Sequence, residues 1–364
     1  MNELEEARQQ INDIDQKMAE LFVSRMQCAK KVADYKRTNG MQVFDAKREQ
    51  QILDNAEKRV ESPILRSYYV EFMATILDVS KKYQHQLLEG NKVAYSGIEG
   101  AFANIAAKRL FPEGNLVSYP NFKAAYDSVV RGECNLAVLP IENSYAGEVG
   151  PVMDLMFDGS LFINGVYSLQ ISQNLLGVKG SSLSDIKRAI SHPQALDQCA
   201  DYLQNHGIKT EQAENTAIAA KQIAELNDKA LAAIASEETA ELYGLEILER
   251  KINTNSKNTT RFAVFSKAKE NHVNPDDYST FIMMFKVKNE AGSLAKALDI
   301  IGKYGYNMRS VHSRPLKSIN WEYYFYIEAE GKLTSEEGQK MIKELGEYCQ
   351  TLKVLGSYSV NAAI

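Results

Sequence analysis

Between Ile11 and Tyr35 the chain repeats an apolar position at steps of three and four. Ile11, Ile14, Met18, Leu21, Cys28, Val32 and Tyr35 fall in this series, and Arg25 occupies the one place left polar. Neither Gly nor Pro occurs before Thr38. Such spacing predicts the seam of a long helix at the coiled-coil period. At 1.5 Å per residue the helix would run about 50 Å, too far to bury its seam on a compact local partner. Gly40 ends it, Asp45 can cap a second helix reaching about Val60, and Pro63 opens a third to about Leu88. Three helices around a shared core completed by a second subunit are expected, an all-α region over residues 1–90.

From Lys92 the period changes. VAYSG, LVSY, LAVL, LFING, RAISH, AAIAS and RFAVFS are short strand-like runs, separated by amphipathic stretches such as FKAAYDSVVRG and TAIAAKQIAEL. This pattern predicts an α/β region over residues 91–268 with mainly parallel strands. The polar run KENHVNPDD reads as a linker at 269–277. Beyond it, over 278–364, TFIMMFKV, SLAKALDIIGKYG, MRSVHS, WEYYFYIE, SEEGQKMIKELGEYC and KVLGSYSV follow the order βαββαβ. That order predicts an α+β ferredoxin-like sandwich of four antiparallel strands and two helices.

Composition adds exclusions. The chain has 364 residues, 45% hydrophobic and 24% charged, with a formal net charge of −5. These values fit a multidomain globular protein and give no reason to expect nucleic acid or an anionic membrane as a partner. No apolar run approaches the roughly 20 residues of a membrane span. The charged start MNELEEARQQ lacks the apolar core of a secretory signal, so a cytoplasmic location is expected. Cys28, Cys134, Cys199 and Cys349 are far apart and show no ligand spacing. Reduced, mostly structural thiols are expected, with no metal and no cofactor.

Candidate chemistry starts with the charges in the helical seam. A cation at Arg25 is costly to bury unless it meets an anion. Arg8 and Lys36 flank the same seam, Asp45, Arg48 and Glu49 stand together in DAKRE, and Ser80 and Gln84 lie four apart on the packing face of the third helix. Taken singly, each reads as a snorkelling stem, a cap or a solvated pair. Together, these eight positions resemble the all-helical chorismate mutase family along essentially the whole segment. The resemblance implies a dimer in which the long helices exchange, so that Arg8 reaches the partner's site. The rearrangement of chorismate to prephenate needs no nucleophile; it needs a dianion held folded and charge stabilised on the breaking ether oxygen. On that basis Arg8 and Arg25, supported by Arg48, are assigned to the carboxylates. Lys36 and Gln84 are assigned to the ether oxygen, Asp45 and Glu49 to the hydroxyl, and Ser80 to orienting a carboxylate.

Three polar clusters end strands in the middle segment: PIENS with Asn143 and Ser144, SHPQALDQC with Ser191 and Gln198, and NTTRF with Thr260 and Arg261. Ligands of open α/β sheets bind beyond strand ends, which gives such clusters weight, although each alone also reads as a turn or a sheet-edge hydroxyl. In combination they resemble the prephenate dehydratase family over about Lys92 to Ser266. The implied fold is two α/β lobes similar to periplasmic binding proteins, with prephenate in the cleft. Thr260 is assigned as donor to the departing hydroxyl. Asn143, Ser144, Ser191 and Gln198 are assigned to substrate orientation, and Arg261 to a carboxylate or to bracing the loop. His192 is left structural. Where the family carries hydroxyl side chains in the first loop, this chain has Ala101 and Ala103 in GIEGAFA, so backbone amides would have to substitute.

The last segment resembles the ACT regulatory domain through AGSLAKAL, NMRSVHSRP and WEYYFYIEAEG. The resemblance implies a phenylalanine pocket between paired domains, built from Gly292, Ser293, Leu294, Asn307, His312, Ser313, Arg314 and Pro315. His312 stands where the family has glutamate. The expectation is therefore a homodimer or larger homo-oligomer that turns chorismate and prephenate into phenylpyruvate under feedback by L-phenylalanine. The alternatives are a non-catalytic amino-acid sensor, or an enzyme keeping one of the two activities.

Overall fold

A computed structural model describes residues 2–255, 257–269, 279–317, 321–359 and 362–364. The expected linker, past Lys269, lies with Tyr278 outside the described residues. The chain forms two compact units, Met1–Lys92 and Val93–Ile364.

The first unit is helical, with α1 (Glu3–Thr38), α2 (Ala46–Arg59) and α3 (Pro63–Glu89). Asn2 caps α1 in a reciprocal box with Glu5. Asp45 and Ser62 cap α2 and α3, accepting from the Arg48 and Leu65 amides. Ala33 and Ala56 are fully buried, and Leu77 is nearly so. Most of the α1 seam is not: Ile11, Ile14 and Met18 are exposed, and Leu21 is 70% exposed. A single copy leaves unburied the stripe whose spacing demanded a partner.

The second unit starts with one lobe made of β1 (Lys92–Ser96), α4 (Phe102–Leu110), β2 (Asn115–Tyr119), α5 (Phe122–Arg131), β3 (Leu136–Asn143), β4 (Gly147–Glu148), α6 (Gly150–Asp158) and β5 (Phe162–Gln170). The chain then crosses into a second lobe of β6 (Asn174–Gly177), β7 (Arg188–Ser191), α7 (Pro193–Gln198), α8 (Ala200–Asn205), β8 (Lys209–Gln212), α9 (Thr216–Leu226), β9 (Leu231–Ala235), α10 (Glu237–Tyr243) and β10 (Glu246–Glu249). It returns to the first lobe as β11 (Thr259–Ser266). The sheets run β16-β5-β11-β3-β1-β2, with β4 beside β3, and β10-β6-β9-β7-β8; β16 (Ala362–Ala363) comes from the C-terminus. Both sheets are mixed, not mainly parallel: β11 is antiparallel to β3 and β5, and β6 to β9 and β10. These returning strands change direction because each lobe must be left and re-entered.

The C-terminal part is β12 (Ser279–Lys286), α11 (Ser293–Lys303), β13 (Asn307–Pro315), β14 (Tyr323–Glu330), α12 (Glu336–Tyr348) and β15 (Thr351–Ser359), in the sheet order β13-β14-β12-β15. All three strand pairs are antiparallel, giving the expected βαββαβ sandwich. One sheet face buries Phe281, Met283 and Phe285 under its own helices. The other face, through Ile282, Met284, Tyr326 and Leu355, shares a core with Met153, Met156 and Ile163 of the first lobe. Gly356 permits that approach, since a Cβ there would collide with the Ile163 carbonyl.

Candidate active sites

Three helices bring seven of the eight expected mutase residues to one cavity of about 280 Å³. Arg25 and Lys36 come from α1, Asp45, Arg48 and Glu49 from the start of α2, and Ser80 and Gln84 from α3. Ser80 and Gln84 are buried. Burial pulls the Arg25 guanidinium below its ordinary pKa, as expected of a cation desolvated where an anion would bind. The Lys36 ammonium donates to the Val43 carbonyl, the Gln84 amide donates to the Ser80 carbonyl at 3.3 Å, and Gln84 Oε1 is buried without a partner. Arg8 is exposed on α1, about 25 Å from Arg25 at helical rise, and this cavity does not include it. Sequence reasoning missed Lys81, which lines the cavity, pairs with Glu49 at 3.0 Å and lies over the Phe44 ring.

Between the lobes of the second unit a cavity of about 410 Å³ is lined by Asn143, Gln198 and Thr260, as expected, and by Gln173, His192, Gln194, Asn215 and Thr216. Asn143 is its hub. Its Oδ1 accepts from the backbone amides of Tyr145 and Ala146, both at 3.0 Å, and from the Gln194 side chain. Its Nδ2 donates at 2.9 Å to Asn258 Oδ1 and at 2.9 Å to Thr260 Oγ1. Asn258 in turn donates to Gln198 Oε1 at 3.0 Å. Because Thr260 Oγ1 accepts from Asn143, its own proton is left to donate elsewhere.

The N-termini of α4, α7 and α9 all border this cavity, through Ala101, Phe102 and Ala103, through His192 and Gln194, and through Asn215 and Thr216. Ala101 caps α4 without a side-chain hydrogen bond, which leaves first-turn amides for a ligand. Helix N-termini attract anions, and among the described residues no Arg or Lys lines this wall. Burial holds His192 below the usual imidazole pKa, and its Nδ1 accepts from the Gln194 amide, so the neutral ring carries its proton on Nε2. Gly100, at φ +87, holds the first loop against α10; a Cβ there would lie 3.1 Å from Leu242.

Three expected residues are not on the cleft wall. Ser191 is fully buried and its hydroxyl donates to the Ile234 carbonyl at 2.6 Å, so it ties β7 to β9. Ser144 is exposed, and its hydroxyl accepts from the Thr259 amide at 2.9 Å. Arg261 follows Thr260 on β11, and strand alternation turns it to the opposite face. There it forks Glu328 of β14 with two 2.9 Å bonds, meets Glu142 at 2.9 Å and donates to the Tyr358 hydroxyl at 2.8 Å. Burial opposes its charge, but the Glu328 bonds and neighbouring Tyr358 outweigh that and hold the guanidinium above its ordinary pKa. Burial likewise pushes the Glu328 carboxyl up, and Arg261 overrides it downward. Arg261 therefore braces the C-terminal sheet rather than binding substrate.

Alternation also divides the expected effector residues. His312 and Arg314 face the first lobe: Arg314 bonds Glu148 at 3.0 Å and Asp154 at 3.2 Å, and His312 lies 3.8 Å from Glu148. Ser313 and Pro315 are exposed on the same edge strand, and Asn307 donates to Glu330. Gly292, at φ +84, starts α11, followed by buried Ser293 and half-buried Leu294.

A family model described as chorismate mutase type II matches residues 7–85, and one described as prephenate dehydratase matches residues 93–270. The chain is 33% identical to the bifunctional chorismate mutase/prephenate dehydratase of Aquifex aeolicus, covering 98% of each chain. Among solved structures, prephenate dehydratase of Arthrobacter aurescens in complex with L-Phe is similar at TM-score 0.68 and 27% identity, over 74% of this chain and 89% of that one. GqqA, described as a quorum-quenching acylase, is similar at TM-score 0.68 and 30% identity, over 74% of this chain and 97% of that one.

Proposed function

The chain belongs to the bifunctional chorismate mutase/prephenate dehydratase family, and we propose that its two chemistries divide between the helical cavity and the interlobe cleft. It rearranges chorismate to prephenate and converts prephenate to phenylpyruvate. The observation that carries the first assignment is the meeting of Arg25, Lys36, Asp45, Arg48, Glu49, Ser80 and Gln84 on one small cavity. Arg25 and Arg48 fork the two carboxylates, assisted by Ser80. Lys36 and Gln84 donate to the ether oxygen as it gains charge, and Asp45 and Glu49 receive the hydroxyl. Arg8 comes from a second copy of the chain, whose α1 covers the exposed seam.

In the cleft, the N-termini of α4 and α9 hold the prephenate dianion in place of arginines. The ring carboxylate leaves as carbon dioxide, its bonding electron pair completes the aromatic ring, and the C–OH bond breaks. One proton is consumed as hydroxide becomes water. Thr260 donates toward that oxygen while the Asn143 amide steadies Thr260 Oγ1. Gln198 orients the substrate.

The C-terminal sandwich is read as an ACT-type sensor of L-phenylalanine, with its site near Gly292, Ser293, Leu294 and the exposed edge of β13. Two ion-pair clusters link it to the first lobe: Arg314 with Glu148 and Asp154, and Arg261 with Glu328 and Glu142. Arg261 adjoins Thr260, so a shift of the sheet is felt at the donor. The enzyme is read as a cytoplasmic dimer. Chorismate fed to the pure protein should yield phenylpyruvate, and L-phenylalanine should suppress the second step. A sensor without catalysis would leave chorismate untouched, and an enzyme with one activity would stop at prephenate.

A further inference from the structure

We propose that Gln173 is a substrate-contacting residue of the cleft, its side-chain oxygen accepting the hydrogen bond of the ring hydroxyl that departs. The inference rests on reading this cleft as the dehydratase site. Gln173 lies where the chain first crosses between lobes, next to the returning crossover: its amide donates to Asn253 and its carbonyl accepts from Ile252. It is only 3% exposed and lines the cavity.

The orientation of its amide follows from a chain of bonds anchored on the backbone. Two backbone N–H groups require Asn143 Oδ1 to be the acceptor, so Asn143 Nδ2 is the donor to Asn258 Oδ1. Asn258 must then donate to Gln198 Oε1, and that same oxygen accepts from Gln173 Nε2 at 3.5 Å. The first three amides fix one another, and the Gln173 amide, held only by this long contact, leaves its Oε1 buried without a partner. Among the described residues of this cavity it is the one orphaned buried side-chain acceptor.

An unmet buried acceptor is destabilising and calls for a donor from the ligand. At neutral pH prephenate carries two carboxylates, a ketone and a single hydroxyl, so the ring hydroxyl is its one hydrogen-bond donor. The long bond to Gln198 leaves the amide free to turn about its broad terminal torsion and meet that group. Gln173 then accepts from the hydroxyl while Thr260 donates to it, and the two bonds together fix the leaving oxygen.

The test replaces Gln173 by Met, and separately by Leu, in the full chain. The readouts are prephenate kcat/KM, the inhibition constant of phenylpyruvate, which lacks the ring hydroxyl, and the thermal midpoint. The expected result is a fall of about tenfold in kcat/KM, with phenylpyruvate inhibition unchanged and the midpoint equal or higher because the orphan is gone. A kcat/KM within about twofold of the native value in a folded variant overturns the proposal, as does a parallel loss of phenylpyruvate inhibition and stability. Thr260→Val is the control: if it keeps native dehydratase activity, the reading of the cleft fails instead.

Discussion

Lys81 follows Ser80 by one residue, a step of 100° around α3, and sequence pattern gave it no weight because the packing face had been drawn through Ser80 and Gln84. The cavity is wide enough to take both directions. Pairing at 3.0 Å fixes Glu49 and adds positive potential for a dianion. Lys81→Ala should lower mutase kcat/KM about tenfold, with the arginine variant recovering most of it, in a chorismate-disappearance assay. Prephenate turnover serves as the internal control and should not change. Arg261 shows the opposite limit. Period-two alternation already placed Thr260 and Arg261 on different faces of a strand, but nothing in NTTRF says that Glu328, 67 residues on, covers the far face. Residues that act within one local motif were legible; partners brought from distant segments were not.

At the scale of elements, the cleft is bordered by helix ends and, among the described residues, by no Arg or Lys. The turn glycines Gly97 and Gly100 of GIEGAFA were legible, yet convergence of α4, α7 and α9 depends on how two lobes face each other, which no local pattern encodes. Short strands such as β8 and β10 also escaped, unlike the equally short β7, because KTEQ and EILE carry too few apolar residues to stand out. Ala101 tests the role of the open helix start. Ala101→Asp supplies the missing N-cap and should leave thermal stability equal or higher by about 1 kcal/mol. It also places a carboxylate where the substrate's must sit, so prephenate KM should rise more than about tenfold. Equal KM in a folded variant would remove α4 from the anion site.

For the whole molecule, the three expected regions resolve into two compact units, because the C-terminal sheet shares its core and its ion pairs with the first lobe. Glu328→Gln weakens a buried pair while Arg261 keeps Glu142, and should cost about 1–3 kcal/mol in the unfolding of that unit. Its folded pKa lies below the unfolded value, so its contribution is present above the unfolded pKa and is lost as pH falls through the folded one. Acid titration of the native midpoint should therefore drop more steeply than that of the variant. The exposed seam of α1 predicts trans complementation: Arg8→Ala and Arg25→Ala chains, each inactive as a mutase, should regain about a quarter of the native rate after subunit mixing. The most direct measurement is a time course from chorismate with Arg25→Ala and Thr260→Val compared in parallel. The first variant should form no prephenate yet consume added prephenate at the native rate; the second should accumulate prephenate and make no phenylpyruvate. Loss of both activities in either variant, or of neither, would contradict two separate sites.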